Sequence, residues 1–371
     1  MSGPAIGAEG PGAGREALRR LRRKALAGRI PIAGTFELTE RCNLDCVHCY
    51  LGDRRGRGAG EMPGELLRAL VAESIDAGCL DVLLTGGEAL LRPDFPDIYR
   101  EARERGALVT LFTNGTLVDR AHLALFRELP PTLVEVSLYG ATAPVYERVT
   151  RVPGSFERCL AGVGRLLDAG VRLALKTVVL RSNLEEVEAM AALARSLGVR
   201  FRLDPIVCPT LQGDLDPLGE RVDPAVAAGL QFADPRARAE VARHLAAAAR
   251  STPVASVYKC DAGVVAFYVD ARGFLRPCLM ATDMQFDTAA DGFRGAWSRA
   301  TGAIADPAWA VDDGCRSCAD LPVCGYCPAL MRLETGRPGA GSEYLCATGR
   351  ARRAVIERGG PDAHQEASHV Q

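Results

Sequence analysis

Three cysteines near the start of the chain share one short loop. Cys42, Cys46 and Cys49 are spaced C-x3-C-x2-C and follow the apolar, strand-like run 33-AGTFELT-39. Three thiolates on one loop can bind three corners of a cubane iron–sulfur cluster and leave one iron without a protein ligand. A structural zinc site takes four ligands, and His48, which lies between two of these cysteines, would reach the same ion only with strain. The spacing therefore predicts a cluster with an open corner.

Seven more cysteines form a second group near the C-terminus. Cys260 and Cys278 come first, the run 315-CRSCADLPVCGYC-327 has the spacing C-x2-C-x5-C-x2-C, and Cys346 follows. In a reducing compartment, clustered thiols indicate metal ligands or catalysts rather than disulfides. Zinc-ribbon knuckles also use C-x2-C pairs. The second group therefore predicts another metal-binding region.

The composition is that of an ordinary globular protein. The chain has 371 residues, 48% hydrophobic and 25% charged, enough for one large or two medium domains. The formal net charge of −1 argues against a protein that coats nucleic acid or a membrane surface. No apolar run is long enough to cross a bilayer, and the Gly/Pro/Ala-rich start lacks the order of a signal peptide. We therefore expect a cytoplasmic protein that binds neither nucleic acid nor membranes.

Strand-like runs alternate with helical patterns over more than half of the chain. The six runs are 33–39, 81–85, 107–112, 133–138, 171–180 and 199–206. The helical patterns are 64–78, 94–106, 118–129, 155–170 and 184–198. Such alternation predicts an α/β fold with parallel strands joined by right-handed crossovers. Because six strands are too few for a closed eight-stranded barrel, the pattern allows either a partial (β/α)6 TIM-like barrel or a doubly wound sheet.

Changes in composition divide the chain into parts. Residues 15–29 form a basic amphipathic pattern, which indicates a solvated helix packed loosely on the main domain or a docking surface for an acidic peptide. After residue 206 the alternation stops, and turns, short strands and cysteines dominate from about residue 254. The predicted parts are a flexible N-terminus with the basic helix (1–32), the partial barrel (33–235), a helical linker (236–253), a small cysteine-rich α+β domain (254–350) and a C-terminal tail (351–371). Within the tail, residues 359–371 are predicted to be disordered.

The first cysteine group resembles the radical S-adenosylmethionine (SAM) superfamily. That family carries C-x3-C-x-aromatic-C after its first strand, and here His48 takes the aromatic position. Gly86, Gly87 and Glu88 follow the second strand and match the family's Gly-Gly-Glu-Pro, with Ala89 in place of the proline. The resemblance implies that a [4Fe–4S] cluster chelates SAM at its open iron and that the Gly-Gly-Glu turn contacts the SAM amino group. Reductive cleavage of SAM then gives a 5′-deoxyadenosyl radical, which abstracts hydrogen from a substrate.

Polar residues at other strand ends complete the implied SAM pocket. Thr113 and Asn114 follow the third strand, Ser137 ends the fourth and Lys176 lies in the fifth. The carboxyl ends of parallel strands meet at one edge of the sheet, where α/β proteins place their sites. By the resemblance, we expect Ser137 at the SAM ribose with Thr113 and Asn114 nearby. Lys176 is expected to meet either the SAM carboxylate or the substrate.

The second cysteine group resembles the SPASM extension of radical SAM peptide-modifying enzymes. The family pattern is C-x9-15-G-x4-C, then C-x2-C-x5-C-x3-C, then C, and this chain has one residue fewer between Cys324 and Cys327. The resemblance implies two auxiliary [4Fe–4S] clusters. One would be held by Cys260, Cys278 and Cys327, and the other by Cys315, Cys318, Cys324 and Cys346. The first of these sets lacks a fourth ligand, and the alternatives are Cys208 or an open position for substrate.

The resemblance implies an enzyme but does not fix its substrate. We expect crosslinking, epimerisation or oxidation of a ribosomally made peptide or protein side chain, with an external reductant such as a flavodoxin or ferredoxin. The segment before the first strand is too short for a winged-helix leader-binding domain. The alternatives are a separate leader-binding protein as a further partner, leader binding by the basic helix, or a substrate without a leader. The alternatives are a sulfatase-type formylglycine maturase, in which Asp204 or Tyr139 would be the catalytic base, a small-molecule or haem-related oxidoreductase, and a non-enzymatic electron-transfer protein.

Overall fold

Helices and strands alternate along the first two thirds of the chain. The computed structural model describes residues 12–52, 60–233, 238–239, 241–242, 260–305, 313–337 and 341–358. The elements up to the last helix before the break are α1 Gly12–Gly28, β1 Ala33–Glu37, α2 Gly64–Asp76, β2 Asp81–Thr85, α3 Phe95–Glu104, β3 Leu108–Thr113, α4 Arg120–Glu128, β4 Leu133–Ser137, α5 Ala143–Thr150, α6 Ser155–Asp168, β5 Leu173–Val178, α7 Val187–Ser196, β6 Arg200–Asp204 and α8 Pro224–Gln231. Single 3-10 turns lie at Ala89–Leu91, Leu184–Glu186 and Asp216–Glu220.

The C-terminal part is built from short elements. Its strands are β7 Ala266–Val269, β8 Phe274–Arg276 and β9 Phe286–Asp287, and its helices are Thr288–Ile304, Asp313–Arg316, Pro328–Thr335 and Glu343–Arg358. Much of the predicted linker 236–253 and the end of the predicted tail, 359–371, lie outside the described residues. The helix Glu343–Arg358 runs across the boundary predicted at residue 350.

The six predicted parallel strands are confirmed, and they are wound in one direction. The order in the sheet is β6-β5-β4-β3-β2-β1-β7-β8-β9, so each of the first six strands lies next to the one before it in the sequence. A doubly wound sheet reverses its direction at a switch point, and here β1 to β6 run on without a reversal. The partial barrel is therefore the correct choice of the two. The C-terminal part extends the same sheet, since β7 pairs in parallel with β1 and β8 and β9 follow antiparallel.

The main core lies between the sheet and the helices of the barrel. Phe36 of β1, Leu84 of β2 and Val109 of β3 are fully buried, as expected for parallel strands covered on both faces. Helix α2 packs Leu67, Leu70 and Val71 inward, whereas Leu66, which its pattern also places on the apolar face, is 53% exposed.

Two helices of the structure do not stand out in the sequence. Helix α5 has eight residues and begins after Thr142 with a proline in its first turn, a start signal that is easily read as a turn. The helix Thr288–Ile304 contains a residue with non-helical backbone, Gly292, which interrupts its pattern. Both helices form because tertiary packing outweighs weak propensity.

The basic N-terminal pattern forms helix α1, as predicted. Its buried Ala25 packs with Ile32 and Val265, and Arg22 pairs with Asp261 at 2.9 Å on the surface. The helix thus lies against the beginning of the C-terminal part. Among the described residues, no helix combines the length and apolar character that a bilayer span requires.

Candidate functional site

The first three cysteines lie on the loop after β1, which crosses the carboxyl ends of the strands. Helix α5 holds this loop, because the backbone N–H groups of Asp45 and Val47 donate to the carbonyls of Thr150 and Val149, both at 3.0 Å. The N–H of Cys49 donates to the carbonyl of Cys46 at 3.1 Å, which closes the turn between these two cysteines. The sequence therefore places the thiols correctly but not the helix that supports them.

The Gly-Gly-Glu turn packs directly on the cysteine loop. The N–H of Gly87 donates to the Thr39 carbonyl at 2.7 Å and the N–H of Glu88 to the Arg41 carbonyl at 2.8 Å. A Cβ on Gly86 would lie 2.6 Å from the Thr39 oxygen, and one on Gly87 would collide with the Arg41 oxygen. The two glycines are thus required by the close approach of one backbone to another, and the turn and the loop form one unit.

The Glu88 carboxylate joins the ends of β2 and β3. It is 1% exposed and accepts hydrogen bonds from Leu90 N–H (3.1 Å), Thr113 Oγ1 (2.8 Å) and Asn114 N–H (2.7 Å). Burial raises the pKa of Glu88, and these hydrogen bonds oppose that shift. One oxygen accepts two of the bonds and the other accepts one, so Oε2 retains acceptor capacity toward a ligand.

An amide pair connects β3 with the cysteine loop. Asn114 Nδ2 donates to Asn43 Oδ1 at 2.9 Å, and Asn43 Nδ2 donates to Thr116 Oγ1 at 2.8 Å. Burial raises the pKa of Cys42 to about 12, while hydrogen bonds from Leu44 N–H and the Asn114 side chain lower it. Asn43 is a functional candidate that the sequence analysis missed. Its position between two cysteines of the motif was the available signal.

Tyr139, Ser137 and His48 form a small group beside the same loop. The rings of His48 and Tyr139 are edge to face with centroids 4.8 Å apart. Burial raises the pKa of Tyr139, the nearby Cys46 thiol raises it further, and a hydrogen bond with Ser137 opposes the shift. Burial lowers the pKa of His48 to about 4. Both rings are therefore neutral near pH 7, which favours a packing role over a base role for Tyr139.

Lys176 and Asp204 lie on the neighbouring strands β5 and β6. Lys176 Nζ lies 3.0 Å from the centroid of the Phe112 ring, and Ser137 is its register partner on β4. Burial lowers the pKa of Lys176 to about 7, and Glu135, Asp204 and Glu88 oppose this shift while Arg202 adds to it. Asp204 accepts from Ile206 N–H at 3.0 Å. The predicted residues on β2 to β6 thus share one end of the sheet.

Four C-terminal thiols gather in the turns around the last helix. Burial raises the pKa of Cys324 to about 11, and the neighbouring thiols of Cys318, Cys346 and Cys315 raise it further. A Cβ on Gly341 would lie 3.3 Å from the Cys346 sulfur and 3.8 Å from the Cys315 sulfur, so these two sulfurs face the same point. This is the set that the resemblance implies for one auxiliary cluster.

The remaining C-terminal thiols form a second set. Burial raises the pKa of Cys278 to about 12, with a smaller contribution from the neighbouring Cys327 and Cys260 thiols. Cys327 caps the helix Pro328–Thr335, and its sulfur accepts from Leu330 N–H at 3.5 Å. Gly325, with a φ of +72°, makes the sharp turn between the two sets. Although the spacing between Cys324 and Cys327 departs from the family pattern, these two cysteines therefore still belong to different sets.

The thiol chemistry fits iron–sulfur clusters. Buried thiols with raised pKa values are poor thiolates until a cation compensates their charge, and a metal does so. Among the described residues, no three His, Cys, Asp or Glu side chains are placed to share a single metal ion, and a cubane holds its thiolates farther apart than one ion does. Cys79 and Cys159 are buried in the main core, and the thiol of Cys159 donates to the Ser137 carbonyl at 3.7 Å.

Comparisons with known proteins agree with this geometry. The profile of the radical SAM superfamily matches residues 36–194. Mycofactocin maturase MftC of Mycobacterium ulcerans is 30% identical over 342 residues, which cover 88% of this chain and 90% of the relative. The AdoMet-dependent heme synthase of Methanosarcina barkeri is 35% identical over 179 residues, 48% of this chain and 51% of that protein. The chain thus spans about half the length of the heme synthase.

The solved structures show the same fold. Streptococcus suis SuiB bound to precursor peptide SuiA matches with a TM-score of 0.65 at 15% identity, over 93% of this chain and 83% of SuiB. The matched 93% of this chain includes both the partial barrel and the cysteine-rich C-terminal part. Together with the end-to-end similarity to MftC, the three-thiol loop shows that the chain belongs to the radical SAM superfamily, whose members use a [4Fe–4S] cluster and SAM.

Proposed function

We propose that this protein is a radical SAM maturase that abstracts hydrogen from a residue of a ribosomally made peptide. The observation that carries the proposal is the convergence of the three-thiol loop, the Gly-Gly-Glu turn and the Glu88–Asn114 network at one edge of the barrel. A protein that only transfers electrons needs no such pocket beside its cluster. Similarity to a maturase over 88% of the chain supports a peptide substrate.

Different residues at the edge of the barrel would bind the cluster and the separate parts of SAM. Cys42, Cys46 and Cys49 would hold the cluster, and when bound, the cluster and SAM supply the radical that removes the hydrogen atom. Gly86, Gly87 and Glu88 would line the SAM amino group, with Oε2 of Glu88 as the acceptor. Thr113, Asn114 and Ser137 would border the nucleoside, and Lys176 would face the SAM carboxylate, which would favour its charged form.

The C-terminal thiols would hold two auxiliary clusters. Cys315, Cys318, Cys324 and Cys346 supply four ligands for one of them, and Cys260, Cys278 and Cys327 supply three for the other. Cys208 is the candidate for the missing ligand, because it packs in the same core cluster as Cys278 and Cys327. Burial raises the pKa of Cys208 to about 12, with smaller contributions from Asp204 and the Cys327 thiol. An external reductant, such as a flavodoxin or ferredoxin, would supply the electron that starts the reaction.

A haem-related substrate is the second candidate, on the strength of the similarity to heme synthases. That similarity covers 48% of this chain, whereas the similarity to MftC reaches 88% and includes the C-terminal part. The comparison favours a peptide.

The test begins with anaerobic reconstitution and iron analysis. We expect about twelve irons per chain, falling to about eight in a Cys42/Cys46/Cys49→Ala variant. The protein is then incubated with SAM, dithionite and perdeuterated peptides encoded by neighbouring genes, and deuterium is sought in 5′-deoxyadenosine. No 5′-deoxyadenosine from the reconstituted protein would exclude the radical reaction. Hydrogen transfer only from an added tetrapyrrole would favour the second candidate.

A further inference from the structure

A polar cavity lies where the barrel meets the C-terminal part. Its volume is about 310 Å³, and it is lined by Leu211, Gln212, Arg272, Arg276, Thr282 and Gln285. The cavity borders the cysteine loop, because Leu211 N–H donates to the Tyr50 carbonyl at 2.8 Å. A Cβ on Gly52 would lie 3.1 Å from Gln212 Oε1. A ligand in this cavity would therefore be close to the end of the loop that carries Cys49.

Arg276, which lines the cavity, has unused hydrogen-bond donors. The residue is 1% exposed, and its Nη2 donates to Asp270 Oδ2 at 2.5 Å. Its Nε and Nη1 are also buried, and neither has a hydrogen-bond partner. Buried N–H groups are normally satisfied, and each exception calls for an explanation. Because Arg276 lines the cavity, an acceptor bound there would explain these donors.

The charges around the cavity favour an anion. Arg272 Nη2 approaches Asp270 Oδ2 at 3.3 Å, so two guanidiniums share one carboxylate. The other oxygen of Asp270 accepts from the backbone N–H groups of Arg272 and Phe274, both at 3.0 Å. The nearby Asp283 is paired with Arg332 at 3.1 Å. The two arginines with Asp270 thus carry one net positive charge.

We propose that Arg272 and Arg276 bind a carboxylate of the peptide substrate, an inference that rests on the proposed function. The planar guanidinium matches a carboxylate in charge and in geometry. Thr282 Oγ1 accepts from Arg332 at 2.7 Å, so its O–H is free to donate to the same ligand. The volume lies at the lower end of the range for ligand pockets, about 300–1,000 Å³, and suits the end or one side chain of a peptide. The site would hold the peptide beside the cysteine loop.

The experiment measures binding of fluorescein-labelled hexapeptides to the reconstituted full chain by anisotropy. One peptide has a free C-terminal carboxylate, a second is its amide, a third is an amide with an internal Asp, and a fourth carries Asn there. We expect the carboxylate peptides to bind at least about tenfold more tightly than their neutral partners. Arg272→Gln should abolish this preference. Arg276→Lys is the second variant, since Arg276→Gln would leave Asp270 buried without its main partner.

Arg299→Gln is the matched control. Arg299 pairs with Asp291 at 2.5 Å and lies 5.3 Å from the Phe286 ring, much as Arg272 lies 5.7 Å from the Phe274 ring. This variant should bind all four peptides as the wild type does. Equal binding of acid and amide peptides up to millimolar concentration, or a preference that survives Arg272→Gln, would overturn the proposal.

The peptides also distinguish the source of the carboxylate. A preference confined to the free C-terminus supports recognition of the peptide end, and a preference for Asp over Asn supports a side chain. Coproporphyrin III serves as the competing probe. The peptide assignment would be overturned if no peptide binds and if coproporphyrin III binds to the wild type but not to Arg272→Gln. SAM cleavage by the wild type is measured separately. Its absence would break the proposed function and leave carboxylate binding as an independent result.

Discussion

The two thiol-bearing regions of this protein are held in place by different means. The Cys42–Cys49 loop donates backbone hydrogen bonds to carbonyls at the end of α5 and lies on the turn that contains Gly87. Beneath it is the main core, in which Phe36 and Leu84 are fully buried. The C-terminal thiols lie on turns and at the ends of short helices, around a separate core cluster that several of the cysteines themselves border. The first site is therefore held mainly by backbone hydrogen bonds to the barrel, and one of its three thiols, Cys49, also borders the second cluster. In the second region, the thiols of Cys278, Cys315 and Cys327 are part of the packing around that cluster.

This difference suggests different tasks and different dependence on metal. A loop held by the scaffold can keep three ligands in place and leave a coordination position for a reacting molecule. A region whose thiols form part of its packing should gain folding energy from the bound cluster, as small metal-binding domains do. The first region would therefore start the reaction, and the second would hold clusters that accept or relay electrons.

The largest expected effect separates the two regions by function. Cys42→Ala should lower the rate of 5′-deoxyadenosine formation at least about 1,000-fold, because a cluster ligand is lost. Cys318→Ala should leave the same rate within about threefold, since its cluster is not the one that binds SAM. The measurement is chromatography of the products after reduction with dithionite.

The control for this pair is Cys79→Ala. Cys79 is buried in the main core, so its loss should not change the iron content, although it should lower stability. Equal loss of SAM cleavage in the Cys42 and Cys318 variants would contradict the division of tasks.

Removal of the clusters by chelation should affect the C-terminal region more than the barrel. Amide hydrogen exchange in residues 313–337 and 341–358 should accelerate about 100-fold, whereas exchange in β2, β3 and β4 should change less than about threefold. The physical reason is that the barrel strands retain their buried core without metal. Mass spectrometry of peptic fragments gives both values from one sample. Equal acceleration in both regions would show that the barrel also depends on its cluster.

Much of this comparison is predictable from the sequence. The six strands follow from apolar runs of the right length, and the cysteine groups follow from spacing, because both signals are local. The pairing of thiols across the C-terminal part required the resemblance to a family, since spacing alone allows zinc. The structure then brings Cys324 near Cys346 and Cys278 near Cys327.

The contacts that support the site are not local, and the sequence does not reveal them. Val149 and Thr150 hold the cysteine loop from more than one hundred residues away in the chain. Gly86 and Gly87 appear in the sequence as a ligand-binding turn, and only the structure shows that they meet the backbone of Thr39 and Arg41. The unpartnered donors of Arg276 likewise depend on burial, which no spacing predicts.

The Glu88 network should be the most sensitive part of the barrel site. Glu88→Ala leaves three buried donors without an acceptor and should destabilise the protein by about 2–4 kcal/mol. Glu88→Gln should cost less, because one amide oxygen still accepts. The midpoint of urea unfolding, followed by circular dichroism, gives the difference. Glu128→Ala is the control, since Glu128 is exposed and pairs only at the surface with Arg100. A Glu88→Ala midpoint equal to that of the control would remove Glu88 from the support of the loop.

Lys176 should make SAM binding depend on pH. Its pKa in the folded protein is about 7 against 10.5 for an ordinary lysine. Between these values the unfolded chain holds a proton that the folded chain lacks, so this group's contribution to stability rises with pH across that window. The SAM carboxylate favours the charged form, and affinity should therefore fall by up to about tenfold per pH unit above pH 7.

The check compares the wild type with Lys176→Met by titration calorimetry from pH 6.5 to 8.5. The amino group of SAM also titrates, but its contribution is common to both proteins and cancels in the difference. If the two affinities vary in parallel with pH, Lys176 does not meet the carboxylate.

The smallest effect is expected at the aromatic position of the cysteine motif. His48 is neutral near pH 7, and its Nδ1 is buried without a partner. His48→Phe removes this unpaired nitrogen and retains the ring that packs at 4.8 Å from Tyr139, so SAM cleavage should stay within about twofold of the wild type. His48→Ala removes the ring and should slow cleavage by about tenfold through a looser loop. Steady-state rates of 5′-deoxyadenosine formation give both numbers. A tenfold lower rate of cleavage in His48→Phe would show that the imidazole nitrogen itself contributes to the site. Polar contacts would then stabilise the loop as well as packing.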